Sequence, residues 1–465
     1  MTNAIPIHKT TEATFDVYNP FNGEVIDKVT ETDPTELLPV IKKAKCAAES
    51  FRFSMPYERR ALLNKLADVI SENATVLAKT VCKEVGKTIA EATNEIRRAQ
   101  NTLRLSGDAA TFLEGEVLHC GIVSRGVNRQ AVITHVPVGV VAAITPFNYP
   151  VNLLCHKLGP ALAAGNAIII KPSPKAPLAA QILVDLCKQA GFPDNLVQMV
   201  HGGAKTAQAL ACSPIDLLSF TGGPEAGLAL KQASGLVRCL MELGGNDPLI
   251  VLPDANLEDA AQTAINQRFE IAGQSCAAVK KLYLHNAIKK DFIDILLSKA
   301  SEITTGDPED NSTKMGPVID ELAAVEVKKR LDEAVSLGGE ILMGGNHKGT
   351  MIEPTIIHKV EINSSLFQNE TFGPIISIRE FSDIKQLITE VNSSDYGLQA
   401  GIYSNNHEQI KSISKSIQVG GVMINEGPDF RAEHVPFGGI KKSGLGREGV
   451  RIALKEMSET KVIID

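Results

Sequence analysis

The chain has 465 residues, of which 44% are hydrophobic and 22% are charged, and its formal charge is −7. This length predicts two or more domains, and the composition is that of a folded protein rather than a long disordered one. Nucleic acids and membranes attract basic surfaces, and no apolar run approaches the roughly 20 residues that cross a bilayer, so neither partner is expected.

Residues 1–20 show no charged region followed by an apolar core, so no secretory signal is expected. The eight cysteines are scattered along the chain, with no CxxC pair and no metal-ligand spacing. In so large a chain this pattern favours reduced thiols, and we expect a cytoplasmic protein without a bound metal.

The N-terminal part of the chain is predicted to be largely helical. Residues 34–52 and 57–104 carry apolar side chains at the helical period, for example Leu63, Leu66 and Ile70. A stretch with several glycines from 107 to 127 breaks the pattern and is expected to be irregular.

From residue 136 onward, strands alternate with helices. The first apolar, β-branched run at 136–144 predicts a buried strand, with Pro137 near its start, where a strand tolerates proline best. Further strands of this series are predicted at 166–171, 196–201, 215–221 and 236–241, with helices at 153–164 and 177–190. A second series has strands at 248–252 and 279–285, helices at 257–271, 287–303 and 318–336, and a terminal strand at 456–465. The alternation predicts right-handed parallel βαβ units in two α/β domains, with a boundary near Gly244.

The sharpest local signal is Cys276, which follows the turn at Gly273. A nucleophilic cysteine suits such a flexible turn, whereas a single cysteine taken alone is more often a buried, inert side chain.

Two polar residues follow predicted buried strands. Glu242 stands before a Gly-Gly turn, where it can act as a general base, although a carboxylate at a strand end is also common. Asn148 follows the first strand, the place where open α/β sheets bind ligands, and its amide can donate to an oxyanion. A turn fixed by Pro146 and Pro150 is the simpler alternative there.

Two glycine loops also end predicted strands. Gly202 and Gly203 form one, and Gly222, Gly223 and Gly227 the other. Such loops let the backbone approach a phosphate at a helix N-terminus, but neither is a full GxGxxG, and each signal is weak alone.

Together and in this order, these signals resemble the aldehyde dehydrogenase superfamily. The resemblance is carried by Asn148, Lys171, Glu242, Cys276 and the runs 370–374 and 436–444. It covers nearly the whole chain, from residue 18 to the last predicted strand.

The resemblance implies an α/β aldehyde dehydrogenase fold with a variant Rossmann cofactor domain, an α/β catalytic domain and a small oligomerisation hairpin. The cofactor domain is expected to comprise residues 1–112 and 134–244, the catalytic domain 245–445, and the oligomerisation segment 113–133 and 446–465. In the family this segment extends a partner's sheet by edge pairing, so a homodimer or homotetramer is expected.

The resemblance also implies catalytic roles, in the oxidation of an aldehyde to an acid. Cys276 is the implied nucleophile, which forms a thiohemiacetal and then a thioester. Asn148 and the Cys276 backbone amide are the implied oxyanion hole, and Glu242 is the base for the cysteine or the hydrolytic water. An ordinary thiol has a pKa of about 8.5, so it must lose its proton to attack well.

The implied cofactor is NAD or NADP. The positions expected to bind it are Pro146, Phe147, Lys171, Ser173, Gly203, Thr221, Gly222, Gly223, Gly227, Glu370 and Phe372. Many NAD-preferring members carry glutamate where this chain has Pro174. Without that carboxylate, a 2′-phosphate meets less repulsion beside Lys171 and Lys175, so NADP is expected to be accepted.

The substrate is the least specified part of the site. Around residues 421–431 the chain resembles the branch of lactaldehyde, phosphonoacetaldehyde and non-phosphorylating glyceraldehyde-3-phosphate dehydrogenases. Arg98, His156 and Arg431 are expected to face the substrate and to clamp a small anionic group, although ordinary ion pairs of the two arginines are an equal alternative. Ser275 is also expected at the substrate; glyceraldehyde-3-phosphate is disfavoured, because that type tends to carry arginine there.

Two other functions remain open from the sequence. A CoA-dependent acylating dehydrogenase shares the fold and cysteine but usually lacks the glutamate, so Glu242 favours water as the acceptor. A non-catalytic structural protein of the same fold is the second, and the intact set of Asn148, Glu242, Cys276 and Glu370 argues against it.

Overall fold

The computed structural model of the chain describes residues 13–465. Residues 1–12 lie outside the described residues, and with them part of the segment behind the expectation about a secretory signal and the start of the first predicted domain. Among the described residues, no helix is both long and apolar enough to cross a bilayer.

Helices and strands alternate along most of the chain. The helices are α1 Leu37–Phe51, α2 Pro56–Glu72, α3 Ala74–Val85, α4 Ile89–Ala110, α5 Asn152–Ala164, α6 Leu178–Gln189, α7 Ala204–Ala211, α8 Pro224–Ala233, α9 Leu257–Phe269, α10 Lys289–Ala300, α11 Glu321–Ser336, α12 Ser365–Gln368, α13 Ile384–Asn392, α14 His407–Ser416 and α15 Val450–Glu456. The strands are β1 Thr14–Tyr18, β2 Val25–Thr30, β3 Glu116–His119, β4 Gln130–Pro137, β5 Val140–Ile144, β6 Ala167–Lys171, β7 Val197–Met199, β8 Leu217–Thr221, β9 Arg238–Glu242, β10 Pro248–Val251, β11 Lys281–His285, β12 Glu340–Met343, β13 His347–Lys348, β14 Met351–Ile352, β15 Thr355–His358, β16 Ile375–Phe381, β17 Gln399–Tyr403, β18 Gly421–Ile424, β19 Gly444–Leu445 and β20 Ser458–Ile464.

The first large sheet has the strand order β19-β9-β8-β5-β6-β7 and is parallel except for β19. β5 and β6 are buried at every position, because their alanine, valine and isoleucine side chains pack against helices that include α1 and α5. α5 is itself buried along its whole length. The parallel strands bring the loops that follow β5, β6, β8 and β9 to one edge of the sheet.

The second large sheet has the order β12-β15-β16-β11-β10-β17-β18 and is parallel except for β12. It has its own hydrophobic core, formed with α9, α10 and α11. The two predicted βαβ series therefore form two separate sheets.

A third sheet has the order β20-β4-β3 and is antiparallel. Its pairing joins residues near 131–137 to the C-terminal strand, from Ile464 opposite Ala131 to Ser458 opposite Pro137. The predicted terminal strand is thus confirmed.

The strand predicted at 136–144 is wrong as a single element. β4 ends at Pro137 and belongs to the third sheet, whereas β5 begins at Val140 in the first. Gly139 between them has φ +128°, a backbone conformation that favours glycine and redirects the chain. The apolar pattern continues across this corner because β4 is partly buried and β5 is fully buried.

The helical region predicted at 57–104 consists of three helices, α2, α3 and α4. α3 ends at Gly86, which has φ +81°, and α4 begins with a capping box formed by Thr88 and Glu91. All three helices pack into one core, so their apolar period shows no break. α4 also runs to Ala110, into the stretch predicted to be irregular. The other predicted elements lie within a few residues of their expected bounds.

The division into domains stays a prediction. Two contacts bear on it. Gly444 and Leu445 in β19 pair with β9 of the first sheet, although they close the predicted catalytic domain. α15 packs against α4 and α5, although it falls in the predicted oligomerisation segment.

Candidate active site

A cavity of about 510 Å³ lies where the loops after β5, β6, β7, β8 and β9 meet the second sheet. Its walls bring together most of the residues predicted to act in catalysis and cofactor binding. They are Pro146, Phe147, Asn148, Lys171, Ser173, Gly203, Thr221, Gly222, Gly223, Cys276, Glu370 and Phe372. Six other predicted residues do not line this cavity, namely Gly227, Glu242, Arg98, His156, Ser275 and Arg431.

Cys276 lies in a loop with a strained start. After α9 the chain passes through Ile271 and Ala272, both with φ +50°, which is uncommon for residues other than glycine. Glu91 accepts a hydrogen bond from the Ile271 amide (2.8 Å), and Gln274 donates from its side chain to the Ile271 carbonyl (3.0 Å). These bonds fix the turn that presents Cys276 to the cavity.

The loops of Asn148 and Cys276 are joined directly. Asn148 Nδ2 donates to the Gln274 carbonyl at 2.9 Å, and because an amide group has two N–H donors, the second remains for an oxygen in the cavity. The carbonyls of Ser275 and Cys276 accept from Lys280 Nζ at 2.8 and 2.6 Å. The peptide oxygens beside the cysteine are thereby held by a buried lysine.

The Cys276 thiol is protonated at neutral pH in this arrangement. Burial and the nearby negative charge of Asp429 raise the pKa of the thiol well above its usual value. Attack on a carbonyl carbon therefore requires a base or a change in the charge around the sulfur.

Glu242 is a buried carboxyl group at the end of β9. Within residues 13–465, neither of its oxygens has a hydrogen-bond partner, so the structure does not join it to Cys276. Its carboxyl lies against Gly438, where an added Cβ would come within 2.3 Å of Glu242 Oε1. Burial and the charge of Glu448 raise the pKa of Glu242 well above its usual value.

One end of the cavity is built around Lys171. Its Nζ donates to the carbonyls of Pro172 (2.9 Å) and Gly202 (2.7 Å), and burial lowers its pKa to about 8. Ser173 accepts at its Oγ from the amide of Lys175 (3.2 Å). This end thus presents polar groups held by the loops after β6 and β7.

The glycine loop after β8 leads into the N-terminus of α8. A Cβ on Gly222 would meet the Phe220 ring at 2.5 Å, and one on Gly227 would meet Leu243 at 2.5 Å, so both glycines permit close packing. At Gly223 an added Cβ meets nothing within 4 Å, so its backbone is open to approach from the cavity. A helix N-terminus with an accessible backbone suits a phosphate group.

The other end of the cavity contains Glu370 and two aromatic rings. Glu370 accepts from the Gly245 amide at 3.1 Å, and Lys280 lies 3.7 Å away. Phe147 and Phe372 stack edge to face with their ring centres 6.0 Å apart. A cavity lined by a lysine, a helix N-terminus and a carboxylate has groups that suit the riboses and phosphates of a dinucleotide.

The three charged residues predicted to face the substrate converge on Glu433. Arg98 Nε donates to Glu433 Oε1 (2.8 Å), His156 Nε2 lies 2.6 Å from Oε2, and Arg431 Nε lies 3.9 Å from the same oxygen. Burial alone would raise the pKa of Glu433, but His156 and Arg98 together lower it to about 2. Arg431 also donates to Glu448 (2.8 Å). Both arginines therefore form ion pairs. These pairs lie beside the candidate site and are not the ordinary surface pairs that the sequence offered as an alternative.

Ser275 does not join this group. Its hydroxyl donates to Asp429 Oδ1 at 3.0 Å. Asp429 thus lies beside both Ser275 and the nucleophile loop, and sequence reasoning did not assign it a role.

Sequence reasoning also missed Glu433, Glu448 and Lys157. Lys157 Nζ donates to Glu448 (2.9 Å) and to Ser219 (3.0 Å), and Thr221 Oγ1 also donates to Glu448 (3.3 Å). A lysine inside the otherwise apolar helix at 153–164 was an available signal, because a buried lysine needs a charged partner. Nothing local marked the two glutamates.

The chain is similar to known proteins over nearly its whole length. A sequence profile described as "Aldehyde dehydrogenase family" matches residues 7–463. Sulfoacetaldehyde dehydrogenase of Neptuniibacter caesariensis is 38% identical over 97% of this chain and 99% of its own length. 3-Sulfolactaldehyde dehydrogenase of Priestia megaterium is 37% identical over 98% of this chain and 96% of its own. The crystal structure of glyceraldehyde-3-phosphate dehydrogenase from Methanocaldococcus jannaschii, complexed with NADP, superposes with a TM-score of 0.94 at 34% identity, over 98% and 99% of the two chains.

Proposed function

The chain belongs to the aldehyde dehydrogenase family, as its sequence motifs predicted, and we propose that it oxidises a small anionic aldehyde to the carboxylic acid with NAD or NADP. One observation carries this proposal. A single cavity is lined by Cys276, by the Asn148 amide that is joined to its loop, and by the lysine, glycine loop and carboxylate expected to hold a dinucleotide.

The residues that would hold the dinucleotide line that cavity. Lys171 and Ser173 are assigned to the adenosine ribose, Gly222 and Gly223 at the start of α8 to the pyrophosphate, and Glu370 to the nicotinamide ribose. The chemistry supplied by a bound nicotinamide is hydride acceptance.

The chain's own residues carry the covalent steps. Cys276 adds through its sulfur to the aldehyde carbon, and the carbonyl oxygen takes up charge between Asn148 Nδ2 and the Cys276 amide. Such donors are each worth roughly 2.7–4 kcal/mol in the transition state. The thiol gives up its proton to a base on attack, and loss of a hydride from the resulting oxyanion adduct to a bound nicotinamide would leave a thioester on the sulfur.

Water then completes the reaction. Glu242, as its carboxylate, accepts a proton from the attacking water; the carbon–sulfur bond then breaks, the acid leaves, and the proton held by Glu242 passes to the departing sulfur and restores the thiol. A raised pKa makes the buried carboxylate of Glu242 a stronger base than an exposed one, which suits this role. It also favours water over CoA as the acceptor.

An anionic substrate is favoured by the free part of Arg98. Among the hydrogen bonds of residues 13–465, only the Nε of this guanidinium is engaged, by Glu433, and its side chain is 27% exposed. Its two terminal nitrogens remain to bind a sulfonate or carboxylate as a fork. The relatives named for sulfoacetaldehyde and sulfolactaldehyde support the same class of substrate.

We also propose that the chain forms a homodimer or homotetramer. The edge strand β20 exposes Val462, Ile463 and Ile464, and β3 exposes Val117. Exposed apolar side chains along a sheet edge favour pairing with another chain.

The test is an assay of reduced nicotinamide formation with sulfoacetaldehyde, which is anionic, and with two uncharged short aldehydes, lactaldehyde and propionaldehyde, each with NAD and with NADP. We expect turnover without CoA, a free acid as product, and a higher kcat/KM for the charged substrate. Cys276→Ser is expected to lose at least about a thousandfold in kcat, while Cys212→Ser, an exposed cysteine, keeps full activity. Turnover that survives in Cys276→Ser, or that depends on CoA, would contradict the proposal.

A further inference from the structure

A carboxylate from the N-terminal hairpin lies at the Lys171 end of the cavity. Glu31 follows β2 and is half-buried, and its Oε1 accepts from the Gly203 amide and from Thr206 Oγ1, each at 3.3 Å. Both partners belong to the start of α7. The carboxylate thus caps the helix that forms one wall of the cavity.

The position of Glu31 is fixed by its backbone. Its own amide donates to the Ala13 carbonyl (2.7 Å). Thr32 donates from its amide to the His201 carbonyl and accepts from the His201 amide, both at 2.9 Å. This reciprocal pair ties the end of β2 to the loop after β7 and keeps the backbone of Glu31 beside the start of α7.

Glu31 stands between two cavities. It lines a second cavity of about 950 Å³, which shares Pro174 and Gly203 with the wall of the first. It is also the carboxylate whose charge acts on the Lys171 ammonium, since it opposes the lowering of the Lys171 pKa by burial. A ligand group beside Lys171 at this junction would therefore lie in the field of Glu31.

We propose that Glu31 sets the ratio of NAD affinity to NADP affinity. Its carboxylate comes from another part of the chain and takes the place of the glutamate that many NAD-preferring members carry at the position of Pro174. This inference rests on the proposed function, in which the adenosine ribose lies beside Lys171. NADP is bound, but Glu31 keeps its affinity below the value that Lys171 alone would allow.

The physical reason is the difference between a hydroxyl and a phosphate. A ribose 2′-hydroxyl can donate to a carboxylate, and the hydrogen bonds of Glu31 within residues 13–465 use only Oε1, so Oε2 remains available. A 2′-phosphate has no proton to donate at neutral pH and meets a like charge at the same place. The start of α7 would favour an anion, but the Glu31 carboxylate already occupies it.

Direct binding tests this. Dissociation constants of NAD and NADP, measured by isothermal titration calorimetry, are compared between the natural chain, Glu31→Gln and Glu24→Gln. Glutamine retains the acceptor for the Gly203 amide and removes only the charge, whereas Glu24 is an exposed carboxylate of the same hairpin. We expect Glu31→Gln to tighten NADP about tenfold relative to NAD, and Glu24→Gln to leave the ratio unchanged.

Two further measurements separate charge from structure. Adenosine 2′,5′-bisphosphate and 5′-AMP lack the nicotinamide, and their relative affinities are expected to change on Glu31→Gln in the same way as those of NADP and NAD. The gain in NADP affinity is expected to shrink as salt is raised, because salt screens the Glu31 charge in the natural chain. Pro174→Glu, which adds a second carboxylate, is expected to weaken NADP in both the natural chain and Glu31→Gln.

The outcomes are distinct. If both dinucleotides bind and the ratio is the same in Glu31→Gln as in the natural chain, the inference about Glu31 is overturned while the proposed function stands. If neither dinucleotide binds to any correctly folded variant, the proposed function itself is overturned.

Discussion

At Cys276, the charge of a neighbour decides how much of the sulfur is reactive. The thiol carries a pKa raised by burial and by Asp429, so the thiolate fraction increases with pH throughout the neutral range. Asp429 also holds the hydroxyl of Ser275, which keeps its carboxylate close to the nucleophile loop. Removal of that negative charge should lower the pKa of the thiol.

We therefore predict that Asp429→Asn speeds the alkylation of Cys276 by iodoacetamide several-fold at neutral pH. In the natural chain the rate should rise with pH without a plateau from about pH 6 to about pH 9. Peptide mass spectrometry separates Cys276 from the exposed Cys46 and Cys212, whose rates serve as the internal control. A slower reaction in Asp429→Asn would show that Asp429 acts on the sulfur by some means other than its charge.

Arg98 and Arg431 make a second prediction at this scale. Replacement of either by methionine keeps the apolar stem but removes the charge, and should raise KM for sulfoacetaldehyde about tenfold, with less than about a twofold effect on an uncharged aldehyde. Arg104→Met is the matched control, because Arg104 lies on the same helix as Arg98 but pairs with Asp68 at the surface. Equal effects on both substrates would assign the two arginines to structure alone.

The turn between α9 and β11 is the element that aims the nucleophile. Its left-handed residues Ile271 and Ala272 are buried, and the Ile271 amide is held by Glu91 of α4. A left-handed conformation costs roughly 1–2 kcal/mol per residue when a Cβ is present. The packing around this turn offsets that cost.

Replacement of Ala272 by glycine changes two free-energy contributions of similar size and opposite sign. Ala272→Gly removes a buried methyl group, which costs about 0.8 kcal/mol, but it also relieves about 1 kcal/mol of backbone strain, so stability should change little. Ala264→Gly replaces an equally buried alanine inside α9. It also removes a methyl group, and the lower helix propensity of glycine costs about 1 kcal/mol more. Thermal unfolding midpoints compare the two, and a larger loss for Ala272→Gly than for Ala264→Gly would contradict the strain argument.

At the scale of elements, the sequence predicts helices and strands better than it predicts which distant side chains contact each other. Strands such as β6 and β10 were predictable because their side chains are uniformly apolar, and Gly139 was not recognised as a corner because apolar residues flank it. Asn148, Cys276 and Lys171 follow strands or tight turns, and these local contexts made them visible. Glu433 and Glu448 lie 277 and 291 residues from His156 and Lys157, so no local pattern could join them. Glu31 escaped notice for the same reason, since its partner Gly203 lies 172 residues away.

Considered as a whole, the molecule assembles its candidate site from both large sheets. Asn148, Lys171 and Glu242 come from loops and strand ends of the first sheet, whereas Cys276 and Glu370 come from the segment that builds the second. β19 returns from the second segment to pair with β9, directly at Glu242. The relative placement of the two sheets therefore controls the approach of sulfur, amide and carboxyl to a substrate.

The third sheet leaves its edges uncovered in the single chain, and this leads to the last prediction. Ile463 is 51% exposed on β20. A charged side chain at this position would be solvated in a monomer at little cost in stability. In an assembly that pairs through β20, the same charge would be buried without an ion-pair partner. We predict that Ile463→Lys reduces the molar mass measured by light scattering from that of an oligomer to that of a smaller species, while NAD still binds. Leu236→Lys is the control, because Leu236 is a fully exposed apolar residue outside every strand and helix. An unchanged mass in Ile463→Lys would mean that β20 is not the assembling edge, and a loss of mass in both variants would point to a general effect of surface charge.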